Sequence, residues 1–186
     1  YENGEYVSED QRESTRWYRK AAEQGDTFSM NNLAYNYAQG RGVGKSFSDA
    51  VYWYERAIEN GDESCVSSLG WLYYENEYYA KALKYFKQAA EANDDYALMN
   101  RIGNMYWNGE GTSVDYDWAA HWYRRSAEGG FAWAKYNLGS CYRQGKGVAK
   151  DLSVAIRWFS KAADDGIDDA LEELGHAYYS RGTEDG

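Results

Sequence analysis

A unit of about 36 residues recurs along the whole chain, and this fixed period restricts the possible folds more than any other feature. Each copy carries an aromatic pair: Trp17-Tyr18, Trp53-Tyr54, Tyr85-Phe86, Trp122-Tyr123 and Trp158-Phe159. Repeats of this length are typical of solenoids, in which each unit packs only on its neighbours. The sequence therefore predicts one array over 1–186, with a partial unit at 1–25, repeats at about 26–61, 62–93, 94–130 and 131–166, and a partial unit at 167–186.

Every copy contains two helical patterns. The first-type helix has an aliphatic residue, a small residue and a tyrosine three positions on, as in Leu33-Ala34…Tyr37, Leu69-Gly70…Tyr73, Ile102-Gly103…Tyr106, Leu138-Gly139…Tyr142 and Leu174-Gly175…Tyr178. This spacing puts the three residues on one helix face, and the small residue should let a neighbouring helix approach closely. The second-type helix carries the aromatic pair, and we expect its tryptophans to be buried framework residues.

The segments between the helices carry turn and capping signals. Glycine turns follow three first-type helices, at Gly40–Gly42, Gly109–Gly111 and Gly145–Gly147, because glycine accepts the positive φ that ends a helix. Four short polar residues are predicted helix caps: Asp10, Ser46, Asp115 and Asp151. The copy from Tyr73 to Tyr85 is shorter and lacks the glycine turn, so Asn76 is expected to take the left-handed conformation there.

These motifs together resemble the Sel1-like repeat, a relative of the tetratricopeptide repeat. The resemblance covers essentially the whole chain and implies an all-α fold, a right-handed α–α superhelix of antiparallel helix pairs. It also implies an adaptor role in protein complexes, with the first-type helices lining a concave groove. Tyr1 aligns with Tyr106, so the sequence predicts that the chain opens at the end of a first-type helix, either as a piece of a longer array or because its start has been trimmed.

The residues that the repeat does not dictate are the candidates for partner binding. We call them the variable face: the positions −6, −3, +1, +4 and +5 from the small residue of each first-type helix. Its proposed binding residues are Phe28, Asn31, Tyr35, Trp71, Tyr74, Asn100, Asn104, Trp107, Trp133, Tyr136, Arg143, His176 and Tyr179. Aromatic rings offer contact area at low entropy cost, and amides can pair with an extended peptide backbone. The alternative is that some of these aromatics pack against the neighbouring helix.

Charge and composition narrow the partner class. The net charge of −10 argues against nucleic acid and favours a protein or peptide partner, including a basic one, and the segment 161–186 is especially acidic. No apolar stretch is long enough for a membrane span. Cys65 and Cys141 occupy packing positions and are expected to be buried thiols, which slightly favours the cytoplasm. A leader upstream of Tyr1 would instead direct the chain to the periplasm or outside the cell.

No catalytic or metal-binding pattern is present in the sequence. His121 and His176 lie in different repeats, and no ligand spacing indicates a metal or another cofactor. The leading hypothesis is a non-enzymatic scaffold or adaptor. One alternative is a bacterial immunity or regulatory protein that masks a basic toxin or enzyme. Another is a cell-wall-active enzyme, which is disfavoured because the family relatives discussed in that role are held by cysteine pairs within each repeat, and this chain lacks such pairs.

Overall fold

The computed structural model describes residues 9–184, and this range contains α helices and no strand. The alignment of Tyr1 with Tyr106 falls outside the described residues. The helices are α1 (Glu9–Glu23), α2 (Thr27–Gln39), α3 (Phe47–Glu59), α4 (Ser64–Glu75), α5 (Tyr79–Asn93), α6 (Tyr96–Asn108), α7 (Tyr116–Glu128), α8 (Ala132–Gln144), α9 (Leu152–Asp164) and α10 (Asp169–Glu184). Even-numbered helices are of the first type and odd-numbered helices of the second, so the predicted all-α repeat fold of the solenoid class is confirmed.

The chain forms two compact units, which are described separately below. Unit 1 is Tyr1–Tyr85 and unit 2 is Phe86–Gly186. The division falls inside α5, next to the copy that lacks the glycine turn. Unit 1 therefore contains α1 to α4 and the start of α5, and unit 2 contains the remainder of α5 and α6 to α10.

Side-chain caps begin three of the second-type helices as predicted. The side-chain oxygens of Ser46, Asp115 and Asp151 accept hydrogen bonds from backbone N–H groups in the first turns of α3, α7 and α9. These bonds satisfy donors that have no partner inside the helix. The prediction for Asp10 was wrong, because α1 already includes Glu9 and Asp10 lies within its first turn.

The short turn between α4 and α5 differs from the expectation. Glu77 takes the left-handed conformation, with φ of 64°, whereas Asn76 has φ of −100°. The Asn76 side chain instead donates to the Leu72 carbonyl oxygen at 2.8 Å and satisfies one of the last acceptors of α4. The prediction for Asn76 was therefore wrong. Its side-chain amide caps the C-terminal end of α4, and the left-handed conformation occurs one residue later, at Glu77.

The second aromatic is the core residue in four of the five pairs, whereas Tyr18 is half-buried. Tyr54 in unit 1 and Phe86, Tyr123 and Phe159 in unit 2 are all buried. A β-carbon added to Gly103 would lie 2.5 Å from the Tyr123 ring, and one added to Gly139 would lie 2.8 Å from the Phe159 ring. The glycine therefore makes room for the ring of the following second-type helix, which confirms the close approach predicted for the small position.

The first aromatic of the pair has a different environment. Of the four tryptophans predicted to be buried, only Trp122 is buried, whereas Trp53 and Trp158 are half-buried and Trp17 is 60% exposed. Adjacent residues on a helix point about 100° apart, so one narrow packing face favours one member of the pair, and only at Trp122-Tyr123 are both buried. Expecting all four tryptophans in the core was therefore wrong.

Candidate partner-binding surface

The tryptophans of the second-type helices carry cations that the sequence analysis missed. The Lys20 ammonium lies 4.4 Å from the centre of the Trp17 ring, and Lys161 lies 4.5 Å from that of Trp158. In both pairs the cation follows three residues after the tryptophan, a spacing that brings two side chains together on a helix. The Trp-x-x-Lys spacing could have identified this surface as a cation–π pairing rather than as core.

In unit 1, α2 and α4 present aromatic side chains on the variable face. Phe28 is 66% exposed and makes an edge contact with Tyr18. Tyr35 is also exposed, with the Arg41 guanidinium 4.9 Å from its ring centre. On α4, Trp71 is exposed and meets the half-buried Tyr74 edge-on at 5.8 Å. The remaining predicted residue of this unit, Asn31, is half-buried. Most of these side chains therefore offer apolar area to a partner.

A polar cleft of about 350 Å³ lies between α1 and α2 in unit 1. Its lining is Asp10, Gln11, Ser14, Thr15, Tyr18, Asn32, Tyr35, Asn36 and Arg41. Asn36 donates its side-chain amide to the Thr15 hydroxyl oxygen, and that hydroxyl donates to the Arg41 carbonyl oxygen, both at 2.9 Å. These bonds fix the glycine turn against α1, so the floor of the cleft is held by side chains from both helices.

In unit 2, α6 uses its variable-face amides for internal contacts. Asn100 is buried and accepts a hydrogen bond from the Asn137 amide at 2.8 Å. Asn104 accepts the hydroxyl hydrogen of Tyr123, also at 2.8 Å. Burial raises the pKa of Tyr123 well above its ordinary value, so this hydroxyl stays a donor. Both side-chain oxygens thus join helices and are engaged within the protein.

Trp107 packs against a neighbouring helix, which is the alternative that the sequence analysis left open for the variable-face aromatics. It is half-buried and packs on Tyr116 of α7, with ring centres 4.8 Å apart. The Lys146 ammonium lies 4.9 Å from the centre of the Trp107 ring. This tryptophan therefore belongs to the contact between successive repeats, and we expect its removal to lower stability.

The α8 helix gives unit 2 its open aromatic surface. Trp133 is 45% exposed and meets Tyr136 edge-on at 5.9 Å. Tyr136 is half-buried against the Phe159 ring. The pKa of Tyr136 is raised, first by burial and then by the carboxylates of Glu173 and Asp169. Trp133 therefore lies beside a tyrosine whose pKa is raised in part by the carboxylates of α10.

An ion pair joins α8 to α10. The Arg143 Nε lies 2.8 Å from Glu173 Oε2, and its Nη2 donates to Oε1 at 3.4 Å. Both side chains are partly buried, so solvent screens their attraction less than it does at an open surface. The two other candidates on α10, His176 and Tyr179, are exposed, and Tyr179 is 77% exposed. Arg143 is thus engaged by the protein, whereas the exposed α10 residues face solvent.

Burial shifts the pKa values of both thiols and of His121. Cys65 and Cys141 are free and buried, as predicted. Burial raises the pKa of each thiol to about 12, which disfavours the reactive thiolate. The pKa of His121 is lowered by burial and then by Arg125 and Arg124.

Metal ligands and membrane-spanning helices were also sought over residues 9–184. In that part of the chain, no cluster of three or more His, Cys, Asp or Glu side chains could hold a metal ion. None of the helices described there has both the length and the apolar character needed to cross a membrane.

Comparison with known proteins identifies the repeat. The Sel1 repeat model matches residues 1–26, 27–62, 76–94, 97–131 and 134–167. It leaves 63–75 unmatched, a segment that contains all of α4 and precedes the turn without glycine. No curated protein matches the chain.

Solved structures share the fold. A Sel1 repeat protein from Oxalobacter formigenes is 32% identical, with a TM-score of 0.66 over 91% of this chain and 70% of that one. The protective antigen c5321 of uropathogenic Escherichia coli is 33% identical, with a TM-score of 0.67 over 89% of this chain but only 36% of its own. YrrB, a tetratricopeptide-repeat protein with an unusual peptide-binding site, is 21% identical, with a TM-score of 0.63 over 88% of this chain and 83% of its own. The chain belongs to the Sel1 repeat family.

Proposed function

We propose that this protein is a non-enzymatic scaffold that holds a protein or peptide partner on the variable faces of its first-type helices. The Sel1 and tetratricopeptide fold generally mediates protein–protein interaction, and members of the family are typically non-catalytic. The observation that carries the proposal is the exposure of aromatic side chains on these faces: Phe28, Tyr35, Trp71 and Trp133. The peptide-binding site of YrrB, which has the same fold, supports a peptide as the ligand class.

The exposed aromatics recur at two equivalent positions of the repeat. Phe28 and Trp133 both stand six residues before the small residue, and Tyr35 and Trp71 both follow it directly. None of the four is the ring that fills the space beside a first-type glycine. Large aromatic side chains are enriched among the residues that dominate binding energy. Each unit therefore has its own aromatic anchors, in α2 and α4 of unit 1 and in α8 of unit 2.

The charges near Trp133 favour a basic segment in the partner. Asp169 is exposed on α10, and its carboxylate acts on Tyr136, the ring neighbour of Trp133. The nearby cation, Arg143, is already paired with Glu173. A lysine or arginine of the partner could lie over the Trp133 ring and close to the Asp169 carboxylate. Complex formation should then weaken as the salt concentration rises.

The test compares two exposed tryptophans, one on the variable face of a first-type helix and one on a second-type helix. Trp133→Ala should reduce affinity for a captured partner at least tenfold and leave the melting temperature nearly unchanged. Trp17→Ala is the matched control, because Trp17 is at least as exposed but lies on a second-type helix. Binding is measured by titration calorimetry with a partner recovered by affinity capture and mass spectrometry.

Two outcomes would contradict the proposal. One is an equal loss of affinity in Trp17→Ala and Trp133→Ala, since binding would then not depend on the variable face. The other is unfolding of Trp133→Ala, because Trp133 would then be a framework residue. Trp122→Ala is the reference for a framework residue. Its melting temperature should fall clearly, because Trp122 is fully buried.

A regulatory protein that masks a basic toxin or enzyme is a special case of the same proposal. The exposed carboxylate of Asp169 and the net charge of −10 favour it over a scaffold for acidic partners. If the captured partner is an enzyme or toxin, its activity should fall when one equivalent of the wild-type chain is added. The Trp133→Ala variant should inhibit it less, and a partner that keeps full activity in the saturated complex excludes masking.

A further inference from the structure

Trp118 of α7 is an exposed tryptophan that the repeat does not dictate. It lies four residues before the aromatic pair, where the other copies have Glu13, Asp49, Lys81 and Val154. Its side chain is 47% exposed, although α7 packs on both α6 and α8 within unit 2. An aromatic residue therefore stands open to solvent at a position that the other copies fill with charged or small apolar side chains.

The Trp118 ring is held in place by the protein. It stacks on the buried Tyr106 ring of α6, with ring centres 6.0 Å apart. The His121 imidazole meets the tryptophan edge-on at 5.2 Å. A ring that is already fixed loses little freedom when a partner packs on it. Trp118 thus has the properties of the aromatic anchors that dominate binding energy at protein interfaces.

Two cations lie along the same surface. The Lys87 ammonium of α5 lies 5.9 Å from the centre of the Trp118 ring, and the Arg125 guanidinium lies 5.0 Å from that of Trp122. Arg125 comes two helical turns after Trp118, which places it about 10 Å further along the same face of α7. Over residues 9–184, neither Lys87 nor Arg125 forms a salt bridge with a carboxylate. Both positive charges are therefore available to an anionic group.

The local electrostatic environment is positive, although the chain carries a net charge of −10. Asp117 and Glu128 are exposed on α7 and form no salt bridge in the part of the chain that the structure describes. The pKa of His121 is lowered first by burial and then by Arg125 and Arg124, so the charges that act on this imidazole are positive. At physiological salt, exposed charges act over about 8 Å, so the nearby cations determine which groups bind here.

We infer that Lys87, Trp118 and Arg125 form a second binding surface, the α7 surface, which takes an acidic and partly apolar peptide segment of a partner protein. An apolar side chain of the segment packs on the Trp118 ring, and a carboxylate beside it pairs with Lys87. A second carboxylate reaches Arg125. An extended peptide covers the distance of about 10 Å between these places in about three residues. The charges thus define both the composition and the spacing of the segment.

The α7 surface goes beyond the proposed function, because its charge preference is the opposite of that near Trp133. The variable face of α8 favours a basic segment, whereas the α7 surface favours an acidic one. The two surfaces share no residue and lie on helices of different type. A chain with both surfaces can hold two partners of different chemistry, and each is disfavoured at the other's place by like charge.

Fluorescence polarisation with two synthetic peptides tests this surface. One peptide carries a leucine, a glutamate next to it and a second glutamate about three residues further on, and the other has glutamine in place of both glutamates. The wild-type chain should bind the acidic peptide about tenfold more tightly at low salt, and this preference should shrink as the salt concentration rises.

Two variants remove different parts of the α7 surface. Trp118→Ala removes the anchor, and the double variant Lys87→Gln with Arg125→Gln removes the charges but keeps part of each side-chain stem. Each should weaken binding of the acidic peptide about tenfold. The double variant keeps the test valid if Trp118→Ala also lowers the melting temperature, because it leaves the stacking of Trp118 on Tyr106 intact.

Unit 1 supplies matched controls. There, Lys20 lies over the exposed Trp17, but Glu13 stands where α7 has Trp118. Trp17→Ala and Lys20→Gln should bind the acidic peptide like the wild type. Trp133→Ala should also bind it like the wild type, so a failure of the variable face and a failure of the α7 surface give different results.

Four results would overturn the inference. The wild type could bind neither peptide below about 1 mM, or bind both equally. Trp118→Ala and the double variant could both bind like the wild type. Lys20→Gln could lose as much affinity as the double variant, since binding would then follow net charge alone. Finally, an RNA oligonucleotide could bind the wild type more tightly than the acidic peptide and lose affinity in the same variants, which would assign the surface to nucleic acid.

Discussion

The assignment of the core face is tested by two neighbouring aromatics of α9. Phe159 is fully buried, and its ring contacts Gly139 and Tyr136. Truncating a buried phenylalanine removes its transfer energy and leaves a cavity, so Phe159→Ala should lower the free energy of unfolding by about 3–5 kcal/mol. Trp158 is larger but half-buried, and its ring carries the Lys161 ammonium at 4.5 Å. Trp158→Ala should cost clearly less than Phe159→Ala, because it loses the partial burial of the ring and a cation–π contact of about 1 kcal/mol but leaves no closed cavity.

Thermal and urea denaturation followed by circular dichroism would separate the two variants. For a chain of this size, 1 kcal/mol lowers the melting temperature by about 2–4 °C, so Phe159→Ala should melt about 6–20 °C earlier than the wild type. Solenoids need not unfold in one step, so amide hydrogen exchange in α8 and α9 should accompany the melts. If Trp158→Ala destabilises the protein as much as Phe159→Ala, the assignment of the second aromatic to the core is wrong.

The thiols and the helix caps give further predictions. Cys65 and Cys141 should react slowly with a thiol reagent in the folded chain and rapidly after denaturation, and fast labelling of either in the native state would contradict their burial. The folded-state pKa values of Cys65 and Tyr54 are raised to about 12, so the unfolded chain loses these protons first. Stability present below the ordinary pKa values should therefore fall as the pH rises towards about 12 in alkaline denaturation. Asp115→Ala should cost about 1 kcal/mol by urea denaturation because Asp115 caps α7, whereas Asp10→Ala should cost less.

The fold could be predicted from the sequence because the same motifs recur in successive repeats. The glycine turns, the caps and the Leu-small-x-x-Tyr motif recur together, and each has a local physical cause. Where a copy departs from this pattern, prediction was less accurate. The turn after α4 has neither glycine nor proline, and the left-handed residue proved to be Glu77 rather than Asn76. An asparagine can either adopt that conformation or cap the helix through its side chain, and the sequence does not say which.

Which aromatic of a pair is buried depends on a residue far away in the sequence. Trp122 and Tyr123 are both apolar enough for a core, and both are buried, whereas only Phe159 of its pair is fully buried. The glycine of the preceding first-type helix receives the second ring, as Gly103 receives Tyr123 and Gly139 receives Phe159. Which ring the glycine receives is read from the structure, so the sequence alone does not separate Phe159 from Trp158.

The candidate surface could be predicted only in part. The position of a residue along its own helix does not determine which side chains of other helices surround it. Asn104, Tyr35 and His176 all directly follow the small residue of their helices. Asn104 is paired with Tyr123, Tyr35 is exposed beside Arg41, and His176 is exposed on α10. The spacing within a helix was the same in each case, but the side chains that surround the position were different.

It follows that equivalent positions in a repeat protein carry function only where the neighbouring repeat leaves them unused. Trp107 and Tyr179 are equivalent, yet Trp107 is held between Tyr116 and Lys146 whereas Tyr179 faces solvent. An exposed aromatic on the variable face can then be explained by a partner that binds there. Trp133→Ala should therefore weaken partner binding and leave the melting temperature nearly unchanged, whereas Trp107→Ala should lower the melting temperature because its ring packs on Tyr116. If Trp107→Ala weakened binding at an unchanged melting temperature, the distinction between used and unused positions would be wrong.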